Sequence, residues 1–226
     1  MLTVSAAGPL IIENKALGYL LRYQLETFTY SNNSHIIFYV GYPFFTEMAG
    51  KRKKQRTWSN ERKKAYLGSM LQFMRELYRD SLQENGFTVT QKRRTPNREK
   101  QRIKACFDST QRQPGILPPD TLHYYLAVLN QPDFYEYLAP GKMDTLLSLS
   151  TGPAKSLFFR GVLDLLYTNM KEGISRRQSQ LWLLTPAPAQ VWRNGSYYPP
   201  TEVFSAGYWA HSEKISNMLP LDYELP

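Results

Sequence analysis

Apolar and polar positions alternate most cleanly from Leu21. Leu21, Tyr23, Leu25, Thr27 and Thr29 fall on one face, with Arg22, Gln24, Glu26, Phe28 and Tyr30 on the other. A period of two is the mark of a strand. Ser31, Asn32, Asn33 and Ser34 then read as a turn, because Asn tolerates positive φ and Ser bonds locally. Residues 36–40 restart an apolar run, so the two segments predict a β-hairpin, broken by Gly41 and Pro43.

The period changes over residues 59–85. Leu67, Met70, Leu71, Met74, Leu77 and Tyr78 recur at three and four, which predicts one long amphipathic helix. Ser59 or Asn60 is placed to cap its start. Asn85-Gly86 is a left-handed stop, and Phe87 folds back on the last turn. Lys63, Lys64 and Arg75 fall off the apolar stripe, and Ser69 falls inside the helix. Residues 87–90 restart a strand.

Further on the pattern weakens. Residues 91–118 are polar, basic and interrupted by Pro96, Pro114 and Pro118, so they read as a long loop with a short helix near 98–107. Residues 119–138 read as a short helical stretch and turn, and residues 156–169 as a strand. Asn194-Gly195 is the type I′ turn pair of a hairpin within 180–197, and residues 204–218 read as a short C-terminal helix. The whole predicts one domain over residues 1–226. Its class is α+β, an antiparallel sheet of hairpins packed on one long amphipathic helix and shorter helices.

Composition agrees with a packed chain. Hydrophobic residues make up 42% and aromatics 14% of the 226 residues, which excludes disorder. One cysteine, Cys106, allows no internal disulfide. No apolar run approaches the roughly 18 residues a spanning helix requires, and the N-terminus shows no signal peptide.

Charge changes the picture more. The net charge is +9, but residues 51–64 carry +7 and residues 92–104 carry +6, which leaves −4 on the rest. Lys51, Arg52, Lys53, Lys54 and Arg56 in the first segment, and Lys92, Arg93 and Arg94 in the second, form a candidate surface for an anionic partner. The competing reading is two solvated basic stretches. Neither interleaves aromatics for base stacking, so nucleic acid is disfavoured.

Candidate chemistry is sparse. The three histidines, His35, His123 and His211, are followed three residues on by Phe38, Leu126 and Lys214, which breaks every His-x-x-Glu and His-Glu-x-x-His zinc pattern. No Gly-x-Ser-x-Gly elbow or glycine-rich phosphate loop occurs. Cys106 is a lone thiol, and Asp133 with Glu136 is a carboxylate pair of unspecific spacing. No catalytic residue, metal ligand or cofactor site is expected.

Several stretches in order carry a resemblance. They include Gly18-Tyr19 within residues 11–26, then Gly41-Tyr42-Pro43, then Arg62 with residues 65–69 and 73–75. Gly207-Tyr208-Trp209 and residues 214–223 complete the set. Together they resemble the C-terminal region of Bacteroidota carboxypeptidase-like regulatory domain-containing proteins. The resemblance implies a cell-envelope protein whose signal peptide and N-terminal β-sandwich lie outside this chain. It implies no peptidase activity, since the name describes that sandwich. Gly18, Tyr19, Gly41, Tyr42, Pro43, Tyr208 and Trp209, the signature positions, read as structural.

The expected function is therefore a non-catalytic envelope module that binds or scaffolds. Another envelope protein or an anionic surface is the expected kind of partner. The alternatives are an unrecognised hydrolase and binding to nucleic acid or an anionic surface through the basic segments.

Overall fold

The computed structural model of the chain describes residues 2–32, 36–110, 118–140, 146–149 and 152–226. Among them the protein is mostly β, and the expected α+β class with one long helix is corrected. Thirteen strands form three antiparallel sheets, accompanied by five short helices.

The first sheet holds the expected hairpin, longer than its alternation indicated. β3 (Tyr19–Ser31) pairs along its length with β4 (Ile36–Glu47). On its other edge lie β1 (Leu2–Val4) and β2 (Leu10–Asn14). Tyr19, Leu21 and Tyr23 are buried, as alternation requires. The facing then reverses. The register jumps between Leu25 and Thr27, a bulge that puts two residues of β3 against one of β4. Phe28 and Tyr30 therefore join the face of Tyr23, and Thr27 and Thr29 leave it. The expected turn at 31–34 falls partly on residues 33–35, outside the described residues.

The long helix is two helices. α1 spans Arg52–Tyr66 and α2 spans Met70–Arg79. Gly68 separates them with φ +74, and a Cβ there would stand 2.6 Å from the Tyr167 ring. Ser69 is the N-cap of α2, its hydroxyl accepting the Gln72 N–H at 3.1 Å. Helical periodicity continued through the break because the 67–69 turn keeps Leu67 and Met70 facing the same core.

The second sheet has the order β13-β10-β9-β5-β6. β5 (Phe87–Pro96) extends the expected strand at 87–90 into the start of the expected loop, and β6 (Phe134–Pro140) replaces the end of the expected turn. The remainder is α3 (Arg98–Thr110) and α4 (Pro119–Leu129), while residues 111–117 lie outside the described residues. β9 is Val162–Asn169, β10 is Ile174–Leu183 and β13 is Val203–Gly207. The expected strand 156–169 is split between sheets, its first part being β8 (Lys155–Leu157). The expected C-terminal helix shrinks to α5 (Tyr208–Ser212) after β13.

The third sheet joins β8 to β7 (Leu147–Leu149) and β11 (Ala189–Val191), and β11 to β12 (Tyr197–Tyr198). Asn194-Gly195 does turn the chain between β11 and β12, but of the pair only Gly195 has positive φ, +86, so it is not the expected type I′ pair. Gly195 N–H donates to the Trp192 carbonyl and Trp192 N–H to the Ser196 carbonyl, each at 2.9 Å.

The main core gathers Phe73, Met74 and Leu77 of α2 with Phe87, Leu163, Leu165, Tyr167 and Leu181 of the second sheet, Leu157 and Val191 of the third, and Trp209. A smaller core gathers Leu17, Tyr19, Leu21, Tyr66 and Leu219. Leu71 of α2 packs on the smaller core, so α2 serves both.

Candidate functional site

Many of the basic side chains have partners within the protein. Arg62 donates to the carbonyls of Leu17 and Gly18, pairs with Glu47 at 2.7 Å and lies 3.8 Å over the Tyr19 ring. Lys63 pairs with Glu172, and Lys64 with Glu61. On α3, Arg102 pairs with Glu99, which also accepts the Tyr124 hydroxyl from α4. Those two hydrogen bonds hold the Glu99 carboxyl down to about 2. Lys100 and Lys104 converge on Asp133 at 3.1 and 2.8 Å and lower its pKa.

Two groups keep an excess of charge. The first is the start of α1. Lys51, Arg52, Lys53, Lys54 and Arg56 are exposed, and the first turn holds no acidic residue and no side-chain cap. Cations at the positive end of a helix dipole are mildly unfavourable, so water carries this cluster. Lys54 lies 5.0 Å over the Trp58 ring, and nothing apolar shapes a site there.

The second group lies where β5 outruns β9. The β5–β9 register ends at Lys92 opposite Val162, while β5 and β6 stay paired to Pro96 and Phe134. Residues 158–161 peel away between the second and third sheets. Gly161 makes that departure possible: its φ is +81, and a Cβ would meet the Lys92 carbonyl oxygen at 2.7 Å. The divergence opens a cleft of about 850 Å³.

Four cations line it, Lys92, Arg93, Arg94 and Arg160. Lys92 is 3.4 Å from the buried Asp164, which also accepts the Gln180 amide at 2.8 Å. Arg94 pairs with Glu136 across the ladder at 2.6 Å. Among the described residues Arg93 donates only its Nε, to the neutral Gln91 side chain at 2.9 Å. The Gln91 amide in turn donates to the Arg160 carbonyl at 2.8 Å, fixing the loop against β5. Among the described residues no carboxylate meets the guanidiniums of Arg93 and Arg160. Tyr137, Leu146, Phe159 and Val162 supply the apolar wall.

Such a cleft presents guanidinium forks to a carboxylate, phosphate or sulfate. Its described lining holds no Ser, Thr, Cys or His, and its one lining carboxylate, Glu136, is ion-paired.

The sequence-derived candidates divide accordingly. Lys92, Arg93 and Arg94 share the cleft. No hydrogen bond or ion pair among the described residues links them to Lys51, Arg52, Lys53, Lys54 or Arg56. Sequence reasoning missed Arg160, Gln91 and Asp164. Asp164 carried a signal, a lone acid inside the run Val162-Leu163-Asp164-Leu165-Leu166; Arg160 carried none.

The signature positions sit in turns and cores. Gly18 turns the chain against the Trp58 ring, and Gly41 faces the Tyr23 ring opposite the β3 bulge. Burial pushes the Tyr19 phenol up to about 12, against the nearby Arg62. Pro43 pairs with Tyr23. The Arg177 guanidinium lies over the Tyr208 ring, 4.6 Å from the ring centroid, and the Trp209 indole donates to the Gly68 carbonyl at 2.8 Å. Tyr42 differs, being 61% exposed on the outer face of the first sheet.

Of the chemical candidates, Cys106 is half-buried on α3. Asp133 and Glu136 are committed to separate cations. His123 lies on α4 and His211 on α5, while His35 lies outside the described residues. Among the described residues no three His, Cys, Asp or Glu side chains gather to hold a metal, and no helix is long and apolar enough to cross a membrane. No family model, curated protein or solved structure matches the chain.

Proposed function

We propose that this protein is a non-catalytic binding module that takes an anionic partner in the cleft between β5 and residues 158–161. One observation carries the reading: Arg93 and Arg160 face the same cleft without a carboxylate, beside two cations that already have one. A fold that pairs Arg62, Arg102, Lys100 and Lys104 with its own carboxylates, and gathers these two in one cleft with none among the described residues, holds them ready for an external acceptor. The resemblance to envelope proteins supports a place at the cell envelope, where anionic surfaces and partners are abundant.

The test is titration with a fluorescent oligoglutamate peptide. Reversal of Arg93 and Arg160 to Glu is expected to weaken binding by at least about tenfold, the worth of one charge-assisted hydrogen bond. Reversal of Lys51 and Lys53 should change it little. Binding should fade toward about 1 M salt, where the screening length is about 3 Å. Equal loss from both double variants would mean diffuse attraction and would refute the cleft.

A further inference from the structure

The cleft contains more than charge. Residues 93–96 of β5 are hydrogen-bonded on the β6 side alone, because β9 begins only opposite Lys92. The Lys92 carbonyl oxygen faces Gly161, on the β9 side. Backbone groups point alternately to the two edges of a strand, so Arg94 turns its N–H and C=O the same way. There, among the described residues, no strand meets them. A strand edge within a cleft, floored by apolar side chains and flanked by unmatched guanidiniums, is a template for an incoming chain.

We infer that the occupant is an extended acidic polypeptide segment, which adds as a short strand to the open edge of residues 93–96. This rests on the anion-binding reading above and specifies its partner. Charge complementarity selects the acidic segment. Arg93 lies on one face of β5 and Arg94 with Lys92 on the other, so carboxylates at alternate or adjacent positions of the segment both find a cation. The edge is about 13 Å long at the rise of a strand, and the cleft of about 850 Å³ has the size of a ligand pocket. Phe159 and Val162 offer an apolar wall to the side chains in between. Tyr135 and Tyr137 on β6, across β5 from the open edge, are 48% exposed and lie opposite Thr95 and Arg93, which gives the adjoining sheet a stacking surface for bases. The backbone edge favours peptide, because bases and sugars leave its N–H and C=O groups unpaired.

The experiment uses the full chain and fluorescence anisotropy. The probes are a labelled peptide of about eight alternating Glu and Val residues, long enough to overrun the edge, and the same peptide N-methylated at alternate amides. A heparin fragment and oligo-deoxythymidine complete the set. The acidic peptide is expected to bind, to lose about tenfold or more on N-methylation, and to lose as much on Arg93→Glu. A peptide with Lys in place of Glu should regain affinity for Arg93→Glu. Circular dichroism of the variant confirms that it folds, and Arg93→Gln provides a milder second variant if it does not.

Equal binding of the methylated and unmethylated peptides would overturn strand addition and leave the anion-binding cleft standing. Tighter binding of heparin or oligo-deoxythymidine than of the peptide would do the same. Failure of every anionic probe would remove both readings together.

Discussion

Arg75 shows how much one side chain can hold. Sequence periodicity sets it off the apolar stripe, yet it is 6% exposed. Its guanidinium donates to the carbonyls of Asn194, Leu221 and Tyr223 at 3.0, 2.9 and 2.7 Å, and to the Tyr66 hydroxyl. It thereby ties α2 to the β11–β12 turn and to the C-terminal segment. Removal leaves three part-buried carbonyls without their donor. Arg75→Met is expected to lower the unfolding free energy by about 3 kcal/mol, read by urea denaturation, while Lys51→Ala stays within about 0.5 kcal/mol.

Glu213 is the matching acid. It accepts the Met70 N–H at 3.0 Å at the start of α2, contacts the Ser212 hydroxyl, and has the Tyr39 and Tyr197 phenols nearby. Burial pushes its pKa up, more than these hydrogen bonds bring it down. The folded state therefore holds the proton more tightly than the unfolded chain. Its contribution to stability is full below the ordinary glutamate range and is lost as pH rises through the raised folded value. Glu213→Gln keeps the acceptor and removes the titration. Its stability relative to the parent is expected to rise from about pH 4 to about pH 8, and a constant difference across that window would contradict the assignment.

At the scale of elements, the break between α1 and α2 decides which core each helix reaches. A continuous helix would carry Tyr66 and Phe73 on one rod. The turn at residues 67–69 instead lets Tyr66 enter the smaller core and Phe73 the main one. Gly68→Ala does not fuse the helices, because the Tyr167 ring and the positive φ both oppose a Cβ. The expected outcome is an unchanged far-ultraviolet spectrum and a loss of about 1–3 kcal/mol. Increased helicity with no loss of stability would show that the break is only a local preference. The strands were more legible. The β3–β4 hairpin and the Asn194-Gly195 turn lie where alternation and turn residues placed them, although β4 runs on through Gly41 and Pro43, where a break was expected. β5 was legible only over residues 87–90, and β6 not at all: charges and prolines masked the extended backbone, and the pairing partner of each lies about forty residues away.

At the scale of the molecule, α2 links the two cores, and Phe38 of the first sheet stacks on Phe204 of the second at 6.0 Å. Trp58 borders the turn at Gly18, and Trp209 sits in the main core. Single-tryptophan variants retaining Trp58 or Trp209 are expected to report coincident urea transitions. Separate midpoints would mean that the cores unfold independently.

The cleft was half legible. Lys92, Arg93 and Arg94 stand out in any charge count. Local patterning missed the start of α1 at Arg52, where Ser59 and Asn60 lie mid-helix, and the Ser69 cap of α2, but it marked the starts of α3 and α4 and the apolar positions of α2. Those properties depend on neighbours within a few residues, so the sequence by itself determined them. Which cations are neutralised depends on partners far along the chain: Glu136 for Arg94, Asp164 for Lys92, and none described for Arg93. The bulge in β3, the burial of Arg75 and the departure of residues 158–161 from β5 likewise come from packing between distant segments. Only the tertiary structure decided them, because charge pairing and burial are set by which elements meet in space.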